Sequence, residues 1–248
     1  MGDVGRLTGY RRTFLYMPSG APPQRRTAAW LVQRATKLAL WAYMRLVHDY
    51  TFRYDPGLPT RQPYVAIMSH TSLLDVPALM VADPYDPPTS MVIKRDMTDV
   101  PLLGTLLRGW GAIPVARDGR DVAALRRIRQ VLREGRGICV APSGTRSADG
   151  RTGPFNPVLV RLILQSDAAV FPVVIVGSRD CLPKGARMIR PGKIRLDTGP
   201  VLDLSRFRQS PSDPAVLAEA ALYMRDAIDR LLPPEMHALP GTPPLLVA

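Results

Sequence analysis

Short apolar runs alternate with segments of helical periodicity through most of this 248-residue chain, and this alternation restricts the fold more than any other feature. An apolar run of about four to eight residues between turn signals is typical of a buried strand, whereas apolar residues three or four apart indicate a helix. The alternation predicts an α/β fold, with a mostly parallel central sheet flanked by helices. The predicted strands are residues 64–69, 89–95, 112–116, 137–141, 169–177 and, as an edge strand, 193–197. The predicted helices are residues 72–82, 100–110, 120–134, 154–166 and 213–232.

The first part of the chain differs from this pattern. Residues 38–44 are its longest strictly apolar stretch, far shorter than the roughly 20 residues that span a bilayer. Proline and basic residues favour disorder before the first helix, and further prolines follow the last one. The predicted segments are residues 1–26, disordered and basic; residues 27–50, an amphipathic membrane-associated helix; residues 51–232, the main domain; and residues 233–248, a Pro-rich tail.

The predicted N-terminal helix carries its basic residues in one arc. Arg34, Lys37, Arg45 and His48 project to the same side, together with two tryptophans, and the rest of the circumference is mostly apolar. Such a stripe suits contact with an anionic bilayer surface. The alternative is a helix that packs on its own domain with the basic stripe facing water.

The charge balance indicates an anionic partner. Lys and Arg number 33 against 21 Asp and Glu, a formal net charge of +12. Nucleic acid, phosphorylated metabolites, anionic lipid and an acidic carrier protein all fit this excess. We expect no nucleic acid, because the arginines are dispersed and no aromatic-basic recognition motif occurs. We expect no metal and no bound cofactor, because no CxxC, HExxH or complete phosphate-loop motif is present.

Residues 68–75, with the sequence MSHTSLLD, follow a predicted strand and open a predicted helix. At this spacing the Asp75 carboxylate can accept a hydrogen bond from one nitrogen of His70, which would leave the other nitrogen as a base. The alternative is structural. Ser72 and Asp75 fit a capping box, in which the acid serves only the helix end and His70 is a strand-end residue.

Three further blocks lie at or beside predicted strands: GAIPVAR at residues 111–117, APSGTRS at residues 141–147 and VFPVVIVG at residues 170–177. With SHTSLLD at residues 69–75, these blocks resemble the ordered motifs NHxSxxD, GxxxxxR, FPEGTRS and an apolar block containing Pro of the glycerolipid acyltransferase family. The best-known members of that family acylate lysophosphatidate. The similarity covers roughly residues 30–200, and four blocks in the same order are far more specific than one.

The resemblance implies a function. His70, oriented by Asp75, would be the general base on an acceptor hydroxyl that attacks an acyl thioester of CoA or of an acyl-carrier protein. Arg117 and Arg146 would hold the acceptor phosphate, since guanidinium groups match phosphate oxygens. The remaining implied substrate-binding residues are Lys94, Ser143, Gly144 and Thr145. The enzyme would lie on the cytoplasmic face of a membrane as a peripheral or monotopic protein, with an acyltransferase domain over residues 51–232.

Two residues depart from the family motifs. Ser69 replaces the usual Asn before the histidine, and Ser143 replaces the usual Glu of the third block. Plastid-type glycerol-3-phosphate acyltransferases also carry P-S-G at this place, so glycerol-3-phosphate or another lysophospholipid stays an alternative acceptor. A catalytically weak membrane protein that binds lipid is the alternative outside the enzyme class.

Overall fold

A computed structural model describes residues 28–59, 63–116 and 121–246. The described strands are β1 (His48–Arg53), β2 (Tyr64–Met68), β3 (Ser90–Lys94), β4 (Ile113–Val115), β5 (Ile138–Val140), β6 (Ala169–Val176) and β7 (Gly192–Thr198). They form one seven-stranded sheet in the order β1-β7-β6-β2-β5-β3-β4. Every pair of neighbours is parallel except β6 with β7, so the predicted mostly parallel α/β sheet is confirmed.

Helices cover both faces of this sheet. The described α-helices are α1 (Ala28–Val47), α2 (Asp75–Ala82), α3 (Leu103–Gly109), α4 (Val122–Arg133), α5 (Pro157–Leu164), α6 (Ser178–Cys181), α7 (Ser205–Arg208) and α8 (Pro214–Asp229). Three of the longer helices begin at a capping side chain that accepts a backbone N–H: Asp121 for α4, Asn156 for α5 and Asp213 for α8. A proline in the first turn also favours the start of α5 and of α8.

Alternate residues of each central strand contribute to two separate cores. Val65 and Ile67 of β2 pack with α4, α5 and α8 on one face of the sheet. Tyr64, Ala66 and Met68 pack with α1, α2 and α3 on the other face. All five residues of β2 are buried, as a strand covered on both faces requires.

The predicted helix over residues 27–50 ends earlier than expected. α1 stops at Val47, and the next six residues form β1 at the edge of the sheet. Side chains of β1 alternate between buried and exposed positions, which is the period of a strand and not of a helix. β7 is therefore an interior strand between β1 and β6, and the prediction of an edge strand over residues 193–197 was wrong in its position.

Two residues of the predicted basic stripe, Arg34 and Lys37, face the domain, whereas Arg45 is exposed and His48 is buried in β1. Arg34 pairs with Asp86 at 3.0 Å, and the Lys37 ammonium donates to the backbone carbonyl of Asp83 at 2.5 Å. The exposed side of α1 is apolar instead, with Leu38 and Leu46 among its solvent-facing residues. For Arg34 and Lys37 both orientations that were considered are corrected, because the loop after α2 supplies the Asp86 carboxylate and the Asp83 carbonyl as their partners. Among the described residues, no helix has both the length and the apolar character needed to cross a bilayer.

The predicted Pro-rich tail packs against the domain over its described part. The Phe155 N–H donates to the Pro244 carbonyl at 3.0 Å, and the Leu246 N–H donates to the Phe155 carbonyl at 2.8 Å. The Arg225 guanidinium donates to the carbonyls of Thr242 and Pro243. These bonds attach residues 242–246 to α8 and to the loop before α5.

Candidate active site

The polar residues of the sequence motifs lie at the carboxyl ends of the parallel strands, which together form one edge of the sheet. His70 follows β2, and Asp75 is the first residue of α2. The His70 Nδ1 lies 2.8 Å from the Asp75 Oδ2. The imidazole is 21% exposed, whereas the carboxylate is completely buried. Because a carboxylate only accepts hydrogen bonds, the His70 Nδ1 is the donor in this contact.

Asp75 also binds the start of the helix. Its Oδ2 accepts the backbone N–H groups of Thr71 at 2.8 Å and of Ser72 at 3.0 Å. The Ser72 hydroxyl accepts the Leu74 N–H and donates to the Leu182 carbonyl at 2.8 Å. Only the acid half of the predicted capping box is formed, because the Ser72 hydroxyl accepts from Leu74 and α2 has no side-chain cap at its N-terminus. The same Asp75 oxygen that accepts the Ser72 N–H also contacts His70.

Ser178 completes the surroundings of the carboxylate, and the sequence analysis did not single it out. Its hydroxyl donates to the Asp75 Oδ1 at 2.5 Å and lies 3.4 Å from the Thr71 hydroxyl. Four donors thus compensate a carboxylate that is shielded from water. Its position in the sequence could have indicated this residue, because Ser178 directly follows the fourth block and the end of β6, the strand that pairs with β2.

The loop over residues 141–147 lies beside the histidine. The Ser147 N–H donates to the His70 carbonyl at 2.8 Å. The Ser143 hydroxyl donates to the Thr145 carbonyl at 3.0 Å, and Gly144 adopts a positive φ of 69° that favours glycine. A Cβ at Gly144 would meet no atom within 4 Å, so the space above this turn is open.

The structure describes two of the three cations predicted to bind phosphate, and their surroundings differ. Among the described residues, the Arg146 guanidinium has no hydrogen-bond partner, although its backbone carbonyl accepts the Lys184 ammonium at 2.9 Å. Lys94 ends β3 at the same edge of the sheet and forms an ion pair with Asp96. Arg117 lies outside the described residues. The structure therefore brings Arg146 and its turn to His70 and adds Lys184, which the sequence analysis missed.

An apolar cavity lies between the sheet and α2. Its lining includes Tyr64, Ala66, Cys139 and Phe171. Val173 also lines it and pairs with Met68, two residues before His70, so the cavity follows β2 towards the histidine. Burial raises the pKa of the Cys139 thiol to about 12, which keeps it protonated and uncharged. Within the described ranges, no three His, Cys, Asp or Glu side chains are grouped as metal ligands.

Comparisons with known proteins identify the family of the chain. The family model described as Acyltransferase matches residues 50–176. A chloroplastic 1-acyl-sn-glycerol-3-phosphate acyltransferase of Arabidopsis thaliana is 27% identical over 163 residues, which is 63% of this chain and 45% of that protein. A lyso-ornithine lipid O-acyltransferase of Pseudomonas aeruginosa is 28% identical over 149 residues, which is 59% of this chain and 56% of that protein.

A solved structure has the same fold. The crystal structure of the 1-acyl-sn-glycerophosphate acyltransferase PlsC of Thermotoga maritima aligns with a TM-score of 0.67 and 21% identity, over 85% of this chain and 83% of that chain. The chain spans about half the length of the curated relatives it matches. The family match covers both the His70–Asp75 segment and the loop over residues 141–147, and the chain belongs to the acyltransferase family.

Proposed function

We propose that this protein transfers an acyl group from an acyl thioester to the free hydroxyl of lysophosphatidate and so forms phosphatidate. The observation that carries the proposal is the 2.8 Å contact between the His70 Nδ1 and the buried Asp75 carboxylate, with the other imidazole nitrogen available. The names of its relatives support the acceptor, since the Arabidopsis relative is a 1-acyl-sn-glycerol-3-phosphate acyltransferase.

The proposed reaction is a direct displacement. The His70 Nε2 removes the proton of the acceptor hydroxyl as the oxygen attacks the thioester carbonyl. The buried Asp75 carboxylate stabilises the imidazolium that forms. The tetrahedral intermediate then expels the thiolate of CoA or of an acyl-carrier protein, and the proton held by His70 passes to that sulfur. One ester bond forms, one thioester bond breaks, and the histidine returns to its starting state.

Cations at the carboxyl edge of the sheet would bind the acceptor phosphate. Arg146 is the first candidate, because its guanidinium has no partner among the described residues and its loop contacts the His70 carbonyl. Arg117 and Lys94 are the others, and Lys94 would exchange its ion pair with Asp96 for the phosphate. Ser143, Gly144 and Thr145 would shape the open turn on which the headgroup rests.

The acyl chain of the donor would occupy the apolar cavity beside α2. The side chains that line this cavity are mainly apolar, as a site for an acyl chain requires. Since Val173 at its margin pairs with Met68, a chain entering from His70 would run along β2 towards Tyr64.

The acceptor of this reaction is a membrane lipid, and we propose that α1 attaches the protein to the cytoplasmic face of a membrane. The exposed side of α1 carries Leu31, Val32, Leu38 and Leu46. An apolar helix face of this kind lies in the boundary between headgroups and acyl chains. The basic residues on its other side then hold α1 to the domain.

A thioester-release assay with different acceptors tests the proposal. With acyl-CoA or acyl-carrier protein as donor, we expect release to depend on lysophosphatidate and phosphatidate to accumulate. Faster release with glycerol-3-phosphate would favour the alternative acceptor suggested by Ser143, and faster release with a lyso-ornithine lipid would favour a function like that of the Pseudomonas relative. Failure to acylate any of these acceptors, with vesicle binding retained, would instead support a lipid-binding protein without this activity.

A further inference from the structure

The loop between α6 and β7 combines basic residues with an exposed apolar tip. Residues 183–193, with the sequence PKGARMIRPGK, contain four cations and no acid. Met188 is 79% exposed and Ile189 is 46% exposed, and Arg187 and Arg190 flank them. Two adjacent apolar side chains that face water between cations match the combination of apolar and basic groups with which proteins contact anionic bilayer surfaces.

The loop is fixed in place beside the active site. The Ser72 hydroxyl, next to the catalytic segment, donates to the Leu182 carbonyl at the start of the loop. The Arg190 N–H donates to the Cys181 carbonyl at 2.8 Å, which closes the loop at its base. The tip therefore projects from a rigid attachment at the edge of the sheet that carries His70.

The loop also lies next to the end of α1. Gly192 pairs with His48, the residue that follows α1, so the loop ends where the helix ends. Leu46, 86% exposed, is in the last turn of α1 and belongs to its exposed apolar face. The end of the loop and the end of α1 are thus neighbours at the edge of the sheet, and both elements carry exposed apolar side chains.

We propose that residues 183–193 form a second membrane contact, in which Met188 and Ile189 insert among the lipids while Arg187 and Arg190 bind anionic headgroups. This inference rests on the proposed function, because it brings the His70 edge to the bilayer that holds the lysolipid acceptor. The exposed apolar pair, together with the pairing of Gly192 with the residue after α1, favours a lipid surface over an acidic carrier protein. Basic side chains near an anionic leaflet add electrostatic attraction to the apolar insertion.

Vesicle partitioning of the purified full chain tests this contact without any turnover. The vesicles are phosphatidylcholine alone, or phosphatidylcholine with phosphatidylglycerol. For Arg187→Glu combined with Arg190→Glu we expect partitioning onto the mixed vesicles to fall at least about tenfold, because four units of charge change next to an anionic surface. For Met188→Ser combined with Ile189→Ser we expect a loss of partitioning on both kinds of vesicle.

Matched control variants are placed on α4, α5 and α8, which cover the face of the sheet opposite α1. Arg126→Glu with Arg133→Glu on α4 makes the same charge change at exposed positions, and Val158→Ser with Leu222→Ser makes the same polarity change on α5 and α8. Equal losses in loop and control variants would overturn the proposal, as would unchanged partitioning of the loop variants. So would a loop variant that binds vesicles normally but loses turnover only with an acyl-carrier protein donor.

Two readouts separate this proposal from the proposed function. Partitioning needs no substrate, so absence of turnover with every acceptor would refute the enzymatic proposal and leave the loop result standing. Turnover of a short-chain acceptor dissolved below its micelle concentration should be unchanged in the loop variants, because these side chains lie outside the catalytic residues.

Discussion

Replacement of Ser178 by alanine tests whether the buried carboxylate must be held on both of its oxygens. In the wild-type protein the Ser178 hydroxyl donates to the Asp75 Oδ1 at 2.5 Å, and the other three donors all bind Oδ2. Alanine at position 178 leaves Oδ1 without a donor in a site from which water is excluded, because Asp75 and Ser178 are both completely buried.

The expected magnitude follows from the charge on the acceptor. A hydrogen bond to a charged group contributes about 1.5–3 kcal/mol. If the carboxylate shifts and no longer stabilises the imidazolium, this free energy is added to the activation barrier of acyl transfer. Each 1.36 kcal/mol of barrier lowers the rate tenfold. We therefore expect kcat to fall about 10- to 100-fold. KM for the acceptor should stay near its wild-type value, because the Ser178 side chain is too deeply buried to touch the substrate.

The assay is steady-state thioester release with lysophosphatidate, together with urea unfolding of each variant. Ser90→Ala is the matched control, since Ser90 is equally buried and its hydroxyl accepts from Arg136 at 2.9 Å at the opposite edge of the sheet. Ser90→Ala should lower stability without a comparable loss of kcat. A folded Ser178→Ala variant with wild-type kcat, or a loss confined to KM, would refute the positioning role.

Three other predictions use the cavity and the buried histidine. Burial raises the pKa of Cys139 to about 12, so iodoacetamide at pH 8 should leave this thiol unmodified in the native protein and alkylate it in denaturant. Rapid alkylation of the native protein, measured by mass spectrometry, would contradict the burial of Cys139. Ala66→Leu narrows the cavity and should lower kcat/KM for long acyl donors more than for short ones, and an unchanged chain-length profile would argue against acyl binding there. Burial lowers the pKa of His48 below its ordinary value of 6.5, so the folded state favours the neutral ring and the free energy of unfolding should fall as the pH drops below that value. His48→Gln should reduce this slope in urea titrations, and an equal slope in both proteins would assign it to other groups.

The sheet could be predicted because its central strands are short apolar runs buried on both faces. β1 could not be recognised in the same way, because it is not a continuous apolar run and because it follows α1 without a glycine or proline to mark the end of the helix. The prediction therefore extended the helix to residue 50 and placed β7 at the edge, where β1 lies.

The orientation of α1 depends on residues that are distant in the sequence. A helical projection groups Arg34 with Lys37, but it contains no information about the Asp83 carbonyl or the Asp86 carboxylate that receive them. Because Arg34 and Lys37 bind partners on the domain, the apolar side of α1 faces the solvent. Only the folded loop after α2 shows this.

Part of the candidate site could be predicted from the sequence, because two of its residues are close together in the chain. His70 and Asp75 are five residues apart across one strand-to-helix turn, so their contact depends on little besides that turn. Ser178 contacts Asp75 across 103 positions, and only the parallel pairing of β2 with β6 places it there. Lys184 reaches the loop of Arg146 through the same juxtaposition of strand ends.

The central claim is that His70 is the general base, and turnover of His70→Ala tests it most directly. General-base catalysis contributes typically about 10²- to 10⁴-fold, so with saturating lysophosphatidate and acyl donor we expect kcat to fall by at least about 100-fold. Vesicle binding should change little, because the imidazole is partly exposed at the edge of the sheet. The free energy of unfolding in urea should fall by at most about 3 kcal/mol, because the buried Asp75 carboxylate loses one of its four donors. A folded His70→Ala protein that keeps its kcat within about tenfold of wild type would contradict the account.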